Sequence, residues 1–425
     1  MEGKLDSSAL ENAGGQVTGS GVPVLLISVC ILILGNYLQN TLLGIRASFE
    51  GISSLNIGLM MSAYFVGFSI GPLILPPVIV SVGHIRTYAA LASLASATAL
   101  AYALIVFVPA WIVFRFLQGL FYAGMILIIE SWLNGCSTSS TRGRLLATYG
   151  IVFWGSAAVS QTLLNIAPAD SYILFACVSI LLSITLAPIT LAPSHTPATV
   201  FNKPLKLRRL ISISPIGACG AMTSGLSNGA IWGLGPVFAK SLSADRGSIS
   251  LFMAVIMGGA LLSQWPLGRL SDSVDRRYVI VLSGITAGLI GLLLASQVAC
   301  PHYVIIALVL LYGSFSIPLY SLSIAHVNDC VSDEERISTA GLLILLQGLG
   351  SAIGPLLAGA IMVPSGPRGL FFFVSFTFFI MAGSSIAIII RRKPTPARNK
   401  SRHVPIPRIS LLFHMQGKHG TRQKS

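Results

Sequence analysis

Two charged residues, Arg115 and Glu130, interrupt long apolar runs of the sequence and are the residues best suited to chemistry. Charges inside a membrane are costly, so they face the interior of a helix bundle or a water-filled cavity. Arg115 could bind an anionic substrate, modulate a nearby proton site, or extend towards the outer surface as a structural residue. Glu130 could relay protons, and the alternative is a structural ion pair with a basic residue of a neighbouring loop (Arg86, Arg142 or Arg144).

Uncharged polar residues within similar runs are candidates for lining a substrate cavity. In such a cavity, amides supply directional hydrogen bonds and an aromatic ring supplies an apolar wall. The alternative role of each polar residue is a hydrogen bond between helices. With Arg115, the candidates are Asn36, Gln39, Asn40, Gln118, Asn228, Trp232 and Gln347.

Three titratable residues are candidates for proton coupling: Glu130, His326 and Asp329. Histidine titrates near neutral pH, and the alternative for His326 is a hydrogen-bonded packing role. Asp329 is expected to form an ion pair with Arg276 or Arg277, in the same way as Glu130 would with a basic residue of the first half.

Composition places the chain in a membrane. Of its 425 residues, 54% are hydrophobic and only 9% are charged, and the mean hydropathy is +0.81. Soluble proteins carry about 25% charged residues, so this chain has too little polar surface to cover itself in water. The six cysteines lack CxxC or metal-ligand spacing, so no disulfide framework or metal site is predicted. Without P-loop, HExxH or GxSxG motifs, no enzyme activity and no cofactor are predicted either.

Twelve apolar runs are long enough to cross a bilayer about 30 Å thick, which takes roughly 20 residues. They lie near residues 22–44, 56–80, 87–108, 110–133, 145–167, 171–193, 212–239, 247–269, 278–299, 303–326, 337–362 and 368–390. Eleven Lys and Arg residues fall in the even-numbered connections, four in the odd-numbered ones and ten in the tail after Ile390. The positive-inside rule then predicts that both termini and the even loops are cytoplasmic.

The two halves of the sequence repeat with an offset of 192 residues. The shift superposes Pro23 on Pro215, Asn36 on Asn228, Gly67 on Gly259 and Arg144 on Arg336. The predicted organisation is a tail (1–21), a six-helix bundle (22–193), a linker (194–211), a second bundle (212–390) and a basic tail (391–425). Because each half has an even number of spans, the halves have the same orientation, and a solute site is expected between them near the midplane.

The loop after the eighth span carries a recognisable motif. It reads Gly268-Arg-Leu-Ser-Asp272-Ser-Val-Asp-Arg276-Arg277, which resembles the major facilitator superfamily pattern G-x-L-(A/S)-D-x-x-(G/D)-R-R. Arg115-Phe-Leu-Gln118-Gly119 is similar to another motif of this superfamily, on its fourth helix. The segments 130–134 and 318–329 resemble a YcaD-like bacterial branch.

The resemblance implies an all-α membrane fold of 12 transmembrane helices in two pseudo-symmetric six-helix bundles. It implies a secondary transporter that moves a small solute by alternating access, with protons as a candidate coupling ion. Gly268, Asp272, Arg276 and Arg277 would form a cytoplasmic gate, in which Asp272 faces the start of helix 5 near residues 143–145. The alternatives are multidrug efflux and a non-transporting sensor. The expected setting is a bacterial inner membrane, with lipids and substrate as partners, a monomeric state and no nucleic acid.

Overall fold

A computed structural model describes residues 21–136, 142–191, 207–243, 245–296, 301–331 and 335–391. Within these ranges the chain is helical and contains no strand. The predicted terminal tails and most of the predicted linker lie outside the described residues.

Twelve long helices account for most of the described chain, one at each predicted span. They are α1 (Gly21–Phe49), α2 (Ser54–Val82), α3 (His84–Leu104), α4 (Val108–Gly135), α5 (Arg142–Thr162), α6 (Tyr172–Leu191), α7 (Pro215–Leu242), α8 (Arg246–Ser273), α9 (Arg276–Ser296), α10 (His302–Cys330), α11 (Arg336–Ser365) and α12 (Gly369–Arg391). Nine described stretches are long and apolar enough to cross a membrane, and one of them, Ser338–Arg391, contains both α11 and α12. α7 qualifies together with the short helix Leu207–Ile213, from which it bends by 114°.

Prolines interrupt two of these helices. α10 is divided into His302–Ser316 and Leu319–Cys330, with Pro318 at the division. α6 is divided into Tyr172–Ile184 and Leu186–Leu191, just before Pro188. A proline has no backbone N–H and its ring clashes with the preceding turn, so the hydrogen-bond ladder of the helix stops there.

The helix bounds repeat with the predicted offset. α3 spans residues 84–104 and α9 spans 276–296, so both ends differ by 192; the starts of α2 and α8, at residues 54 and 246, differ by 192 as well. Equivalent residues also touch each other, since the Lys240 Nζ donates to the Ser48 Oγ at 3.2 Å across 192 positions. Contacts of this kind arise where two like halves meet at their pseudo-two-fold axis.

Glycines hold the helices close at equivalent places in each half. A Cβ on Gly67 of α2 would lie 2.9 Å from the carbonyl carbon of Phe116 on α4. Its equivalent, Gly259 of α8, faces the backbone of Leu310 on α10 in the same way. Gly67 and Gly259 are therefore close-packing positions. Gly258 is not one, because a Cβ there would meet no atom within 4 Å.

Candidate functional site

A buried polar network centred on Arg115 lies between α1, α2 and α4. Only 1% of Arg115 is exposed, so the side chain does not extend to the outer surface. Its Nη2 donates to the Asn40 Oδ1 at 2.7 Å and to the Met61 Sδ at 3.2 Å. The Tyr64 ring covers one face of the guanidinium, with its centroid 4.3 Å from Cζ. The Nε and Nη1 atoms have no hydrogen-bond partner among the described residues.

Two further pairs extend this network along the same helices. The Tyr64 hydroxyl donates to the Asn36 Oδ1 at 3.0 Å, and the Gln118 Nε2 donates to the Gln39 Oε1. One polar atom of each glutamine, Gln39 Nε2 and Gln118 Oε1, is buried without a described partner. All five predicted cavity residues of the first half (Asn36, Gln39, Asn40, Arg115 and Gln118) therefore belong to one cluster.

The predicted cavity residues of the second half lie apart from this cluster. Asn228 donates from its Nδ2 to the Ser224 Oγ of its own helix, at 3.0 Å. Gln347 is buried on α11 beside Gly225 of α7, with its Nε2 unpartnered among the described residues. Trp232 reaches the first half: its ring lies 5.8 Å from that of Tyr37 and 6.4 Å from that of Trp154.

Among the described residues, most contacts between the halves named here lie towards one end of the molecule, and Gly348 of α11 faces Ser69 of α2 near its middle. We name the "closed end" the end of the molecule where α1 passes to α2 (residues 49–54) and α7 to α8 (residues 242–246). Besides the Ser48–Lys240 bond, Asn165 donates to the Ser250 Oγ at 3.3 Å there. The backbones of α2 and α11 also meet there: a Cβ on Gly58 would lie 3.0 Å from the Pro355 carbonyl carbon.

The opposite end, where α2 passes to α3 (residues 82–84) and α8 to α9 (residues 273–276), is the "open end". Gly150 lies towards this end of α5, and although it is buried, a Cβ there would meet no atom within 4 Å.

Glu130 lies near the open end of α4 and is buried, with 1% exposed. Its Oε1 accepts a hydrogen bond from the Tyr149 hydroxyl of α5 at 2.9 Å, and its Oε2 has no described partner. The expected ion pair with Arg86 or Arg144 is not formed in this structure, and the side chain of Arg142 lies outside the described residues. The reason is geometric, since α5 presents an aromatic hydroxyl to the carboxyl group.

The motif residues form a charged cluster at the open end of the second half. The Arg276 side chain is buried and binds Asp329 at 2.8 Å and Asp272 at 3.1 Å. This places Asp329 with Arg276, one of its two predicted partners. Buried His326 lies close enough to Asp329 to be affected by its charge. Gly268 accepts a hydrogen bond from the Ser271 hydroxyl at 2.8 Å, within the last turns of α8.

Asp275 immediately precedes α9 and binds Arg277 at the edge of this cluster. Its Oδ1 accepts from the Arg277 backbone N–H at 3.0 Å, and its Oδ2 pairs with the Arg277 Nη2 at 2.7 Å. Partial burial acts to raise the pKa of Asp275, but the hydrogen bonds and charge of Arg277 outweigh it, so the pKa lies below its ordinary value.

Sequence reasoning missed the aromatic and thioether partners of the two buried charges. Met61, Tyr64 and Tyr149 contact Arg115 or Glu130 directly. Each is apolar enough to be counted as part of a span, so composition did not separate them from packing residues. The signal available was position: Tyr149 is about two turns after the start of α5, opposite the last turns of α4.

Comparison with known proteins agrees with this architecture. Residues 217–417 match the model of the Major Facilitator Superfamily. An uncharacterised MFS-type transporter YcaD of Escherichia coli O17:K52:H18 is 27% identical over 84% of this chain and 93% of its own length. The YcaD of Escherichia fergusonii is 24% identical over the same shares.

Solved structures show the same fold. The nucleoside transporter NupG superposes with a TM-score of 0.77 at 14% identity, covering 88% of this chain and all of its own. A bacterial homologue of the human lysosomal transporter Spinster, in an inward-facing and occupied conformation, gives 0.67 at 13% identity, covering 88% and 97%.

The helices, their repeat and these similarities together support a multi-pass membrane transporter. The chain is similar to the major facilitator superfamily over residues 217–417 and to the YcaD-like transporters over most of its length.

Proposed function

We propose that this protein is a secondary active transporter that carries a small solute across a bacterial inner membrane by alternating access. The two bundles, residues 22–193 and 212–390, would rock against each other around a site at the level of Arg115 and Trp232. The observation that carries the proposal is the asymmetry of the contacts among the described residues: the halves meet through Ser48–Lys240 and Gly58–Pro355 at the closed end.

The charge distribution orients this asymmetry in the membrane. The start of α1, the end of α12 and the helix ends joined by the even-numbered connections lie at the open end, and in the sequence these connections hold eleven of the fifteen Lys and Arg residues of all connections. Under the positive-inside rule the open end is cytoplasmic and the closed end faces outwards. The structure then corresponds to an inward-facing state, and transport requires a second state in which the outer contacts separate.

Glu130 is the residue through which we propose proton coupling. Its carboxyl group is buried near the proposed cytoplasmic end and accepts a hydrogen bond from a neutral hydroxyl, and among the described residues no positive charge holds it in one protonation state. Uptake or export that is unchanged by an imposed pH gradient would contradict this coupling. Glu130→Gln, which retains an acceptor for Tyr149, should remove the gradient dependence and leave the fold intact.

Asp272 is proposed to contribute to a cytoplasmic gate. In the inward-facing state it binds Arg276 of its own half, with a third of its side chain exposed. When the cytoplasmic side closes, its carboxylate would approach the N-terminus of α5, where a negative charge gains roughly 0.3–1 kcal/mol. Asp272→Asn should therefore favour the inward-facing state.

Thiol labelling from each side of the membrane tests the proposal as a whole. In a cysteine-free background, Ser48→Cys reports on the closed end and Gly150→Cys on the open end. Conditions that raise labelling of one position should lower labelling of the other. Simultaneous labelling of both from one side would indicate a channel, and labelling that never changes would indicate a non-transporting sensor.

A further inference from the structure

We propose that Arg115 binds the carboxylate of the transported solute, which would make the substrate class a small organic monoanion. The inference rests on the proposed transport function and adds the chemistry of its ligand. Its geometric basis is the guanidinium itself, which is buried inside the bundle with two of its three nitrogens, Nε and Nη1, lacking a described partner.

The surroundings of Arg115 leave its charge uncompensated. Asn40 supplies a neutral amide oxygen, Met61 a weak thioether acceptor and Tyr64 a ring face. The hydroxyl of Tyr102 on α3 also lies close to the guanidinium, and it is neutral as well. No Asp or Glu among the described residues pairs with it. Arginine does not deprotonate in proteins, and a buried unpaired charge is costly. An anion that arrives with the substrate would offset this cost.

The neighbours of Arg115 also restrict the kind of anion. A guanidinium fits a carboxylate through parallel N–H donors in its own plane, and the Tyr64 ring covers one face, so the ligand must approach at the edge. Arg115, the eighth residue of α4, is the one Lys or Arg of the described helices that lies more than five residues from a helix end. A single positive charge among neutral amides matches a carboxylate of charge −1 better than a phosphate of charge near −2.

Movement of the Met61 side chain would let such a ligand reach the guanidinium. Its Sδ accepts a hydrogen bond from Arg115. A Cβ added to Gly233 of α7, in the other half, would lie 2.9 Å from the Met61 Cβ, so Met61 also packs closely against α7. Met61 is thus held between Arg115 and the second bundle. Separation of the bundles at the closed end removes its support from α7, and the flexible thioether can then leave the acceptor position to a carboxylate oxygen.

Paired ligands that differ only in charge test the proposal. Thermal unfolding of the purified full chain would be followed with acetate, lactate, glutarate and benzoate, each against its own amide, because a ligand of the folded state raises the unfolding temperature. We expect at least one carboxylate to stabilise the protein while its amide does not. Arg115→Gln should weaken that binding at least tenfold, and Arg115→Lys should restore part of it.

Two variants serve as controls, one for folding and one for the loss of an arginine elsewhere. Arg115→Gln removes a buried charge, so its own unfolding temperature should equal or exceed that of the unmodified protein, which shows that it folds. Arg269→Gln removes an exposed arginine that stacks on Trp265, and it should leave carboxylate binding unchanged.

Equal stabilisation by acid and amide for every pair would overturn the proposal, as would carboxylate binding that survives in Arg115→Gln. Two-sided labelling of Ser48→Cys and Gly150→Cys distinguishes this failure from failure of the transport proposal. Reciprocal labelling without carboxylate binding would refute the ligand class alone. Carboxylate binding without reciprocal labelling would refute transport alone.

Discussion

Gly58 offers the sharpest test of how the closed end is held together. An alanine there would bring its Cβ to 3.0 Å from the Pro355 carbonyl carbon and closer still to the carbonyl oxygen. Carbon atoms pack best at about 3.5–4.0 Å, so α2 and α11 would have to separate by about 0.5–1 Å. Overpacking of this size costs about 1–3 kcal/mol. Gly58→Ala should therefore destabilise the inward-facing state in particular.

That cost translates into a measurable change of populations. A free-energy difference of 1–3 kcal/mol changes an equilibrium about 5- to 150-fold. The gain in helix propensity from Gly to Ala, about 1 kcal/mol, applies to both states and cancels. We expect the rate at which an impermeant maleimide labels Ser48→Cys from outside to rise by at least fivefold in Gly58→Ala.

Two other glycines provide matched controls. Gly67 lies on the same helix, but its alanine would press on Phe116 within its own half, so it should lower stability without changing the labelling rate. Gly383 of α12 has no atom within 4 Å of its Cβ position, so Gly383→Ala should change neither. An unchanged labelling rate in Gly58→Ala, or an equal increase in Gly67→Ala, would refute the reasoning.

Three further predictions concern stability, each measured by thermal unfolding in detergent. Gly259→Ala should lower stability by about 1–3 kcal/mol, because its Cβ would press on the backbone of α10. Arg276→Gln should cost about 3–5 kcal/mol, because buried Asp329 loses its cation. Asp275→Asn should cost up to about 1 kcal/mol at pH 7 by weakening the pair with Arg277. Because the folded pKa of Asp275 is lowered, this last contribution is present above the unfolded value of about 3.9 and disappears as the pH falls through the folded pKa.

Each of these predictions has an outcome that would contradict it. A Gly259→Ala protein as stable as Gly383→Ala would mean that α8 and α10 are not in tight contact. An Arg276→Gln protein of unchanged stability would mean that Asp329 finds another partner or water. A loss in Asp275→Asn that stays constant down to acid pH would show that capping of α9, and not the charge pair, is what the carboxylate provides.

The fold was predictable because it depends on quantities that sequence carries directly. Apolar length fixes where a helix can cross a bilayer. Each predicted span coincides with an observed helix, although α5 is not among the described stretches that are long and apolar enough to cross. The repeat could also be predicted from the sequence, since both ends of α3 and α9 differ by the predicted offset of 192 residues. The same offset relates Ser48 and Lys240, and the contact between these two residues is something that periodicity alone did not indicate.

The site was only partly predictable, because pairing depends on how helices rotate against each other. Charge alone suggested a basic partner for Glu130, whereas the rotation of α5 presents Tyr149. Amides of both halves were expected around one cavity, yet Asn228 bonds within its own helix while Asn36 joins the Arg115 network. The importance of Met61 follows from its position between Arg115 and Gly233, which no pattern in α2 expresses.

Distances between spin labels at two pairs of equivalent positions test alternating access most directly. Ser48 and Lys240 report on the closed end, and Ser81 and Ser273, which also differ by 192 positions and lie exposed at the ends of α2 and α8, report on the open end. The account predicts two populations at each pair. As Gly58→Ala lengthens the Ser48–Lys240 distance, the Ser81–Ser273 distance should shorten in the same fraction of molecules. A closed end that opens while the Ser81–Ser273 distance stays fixed would contradict the account.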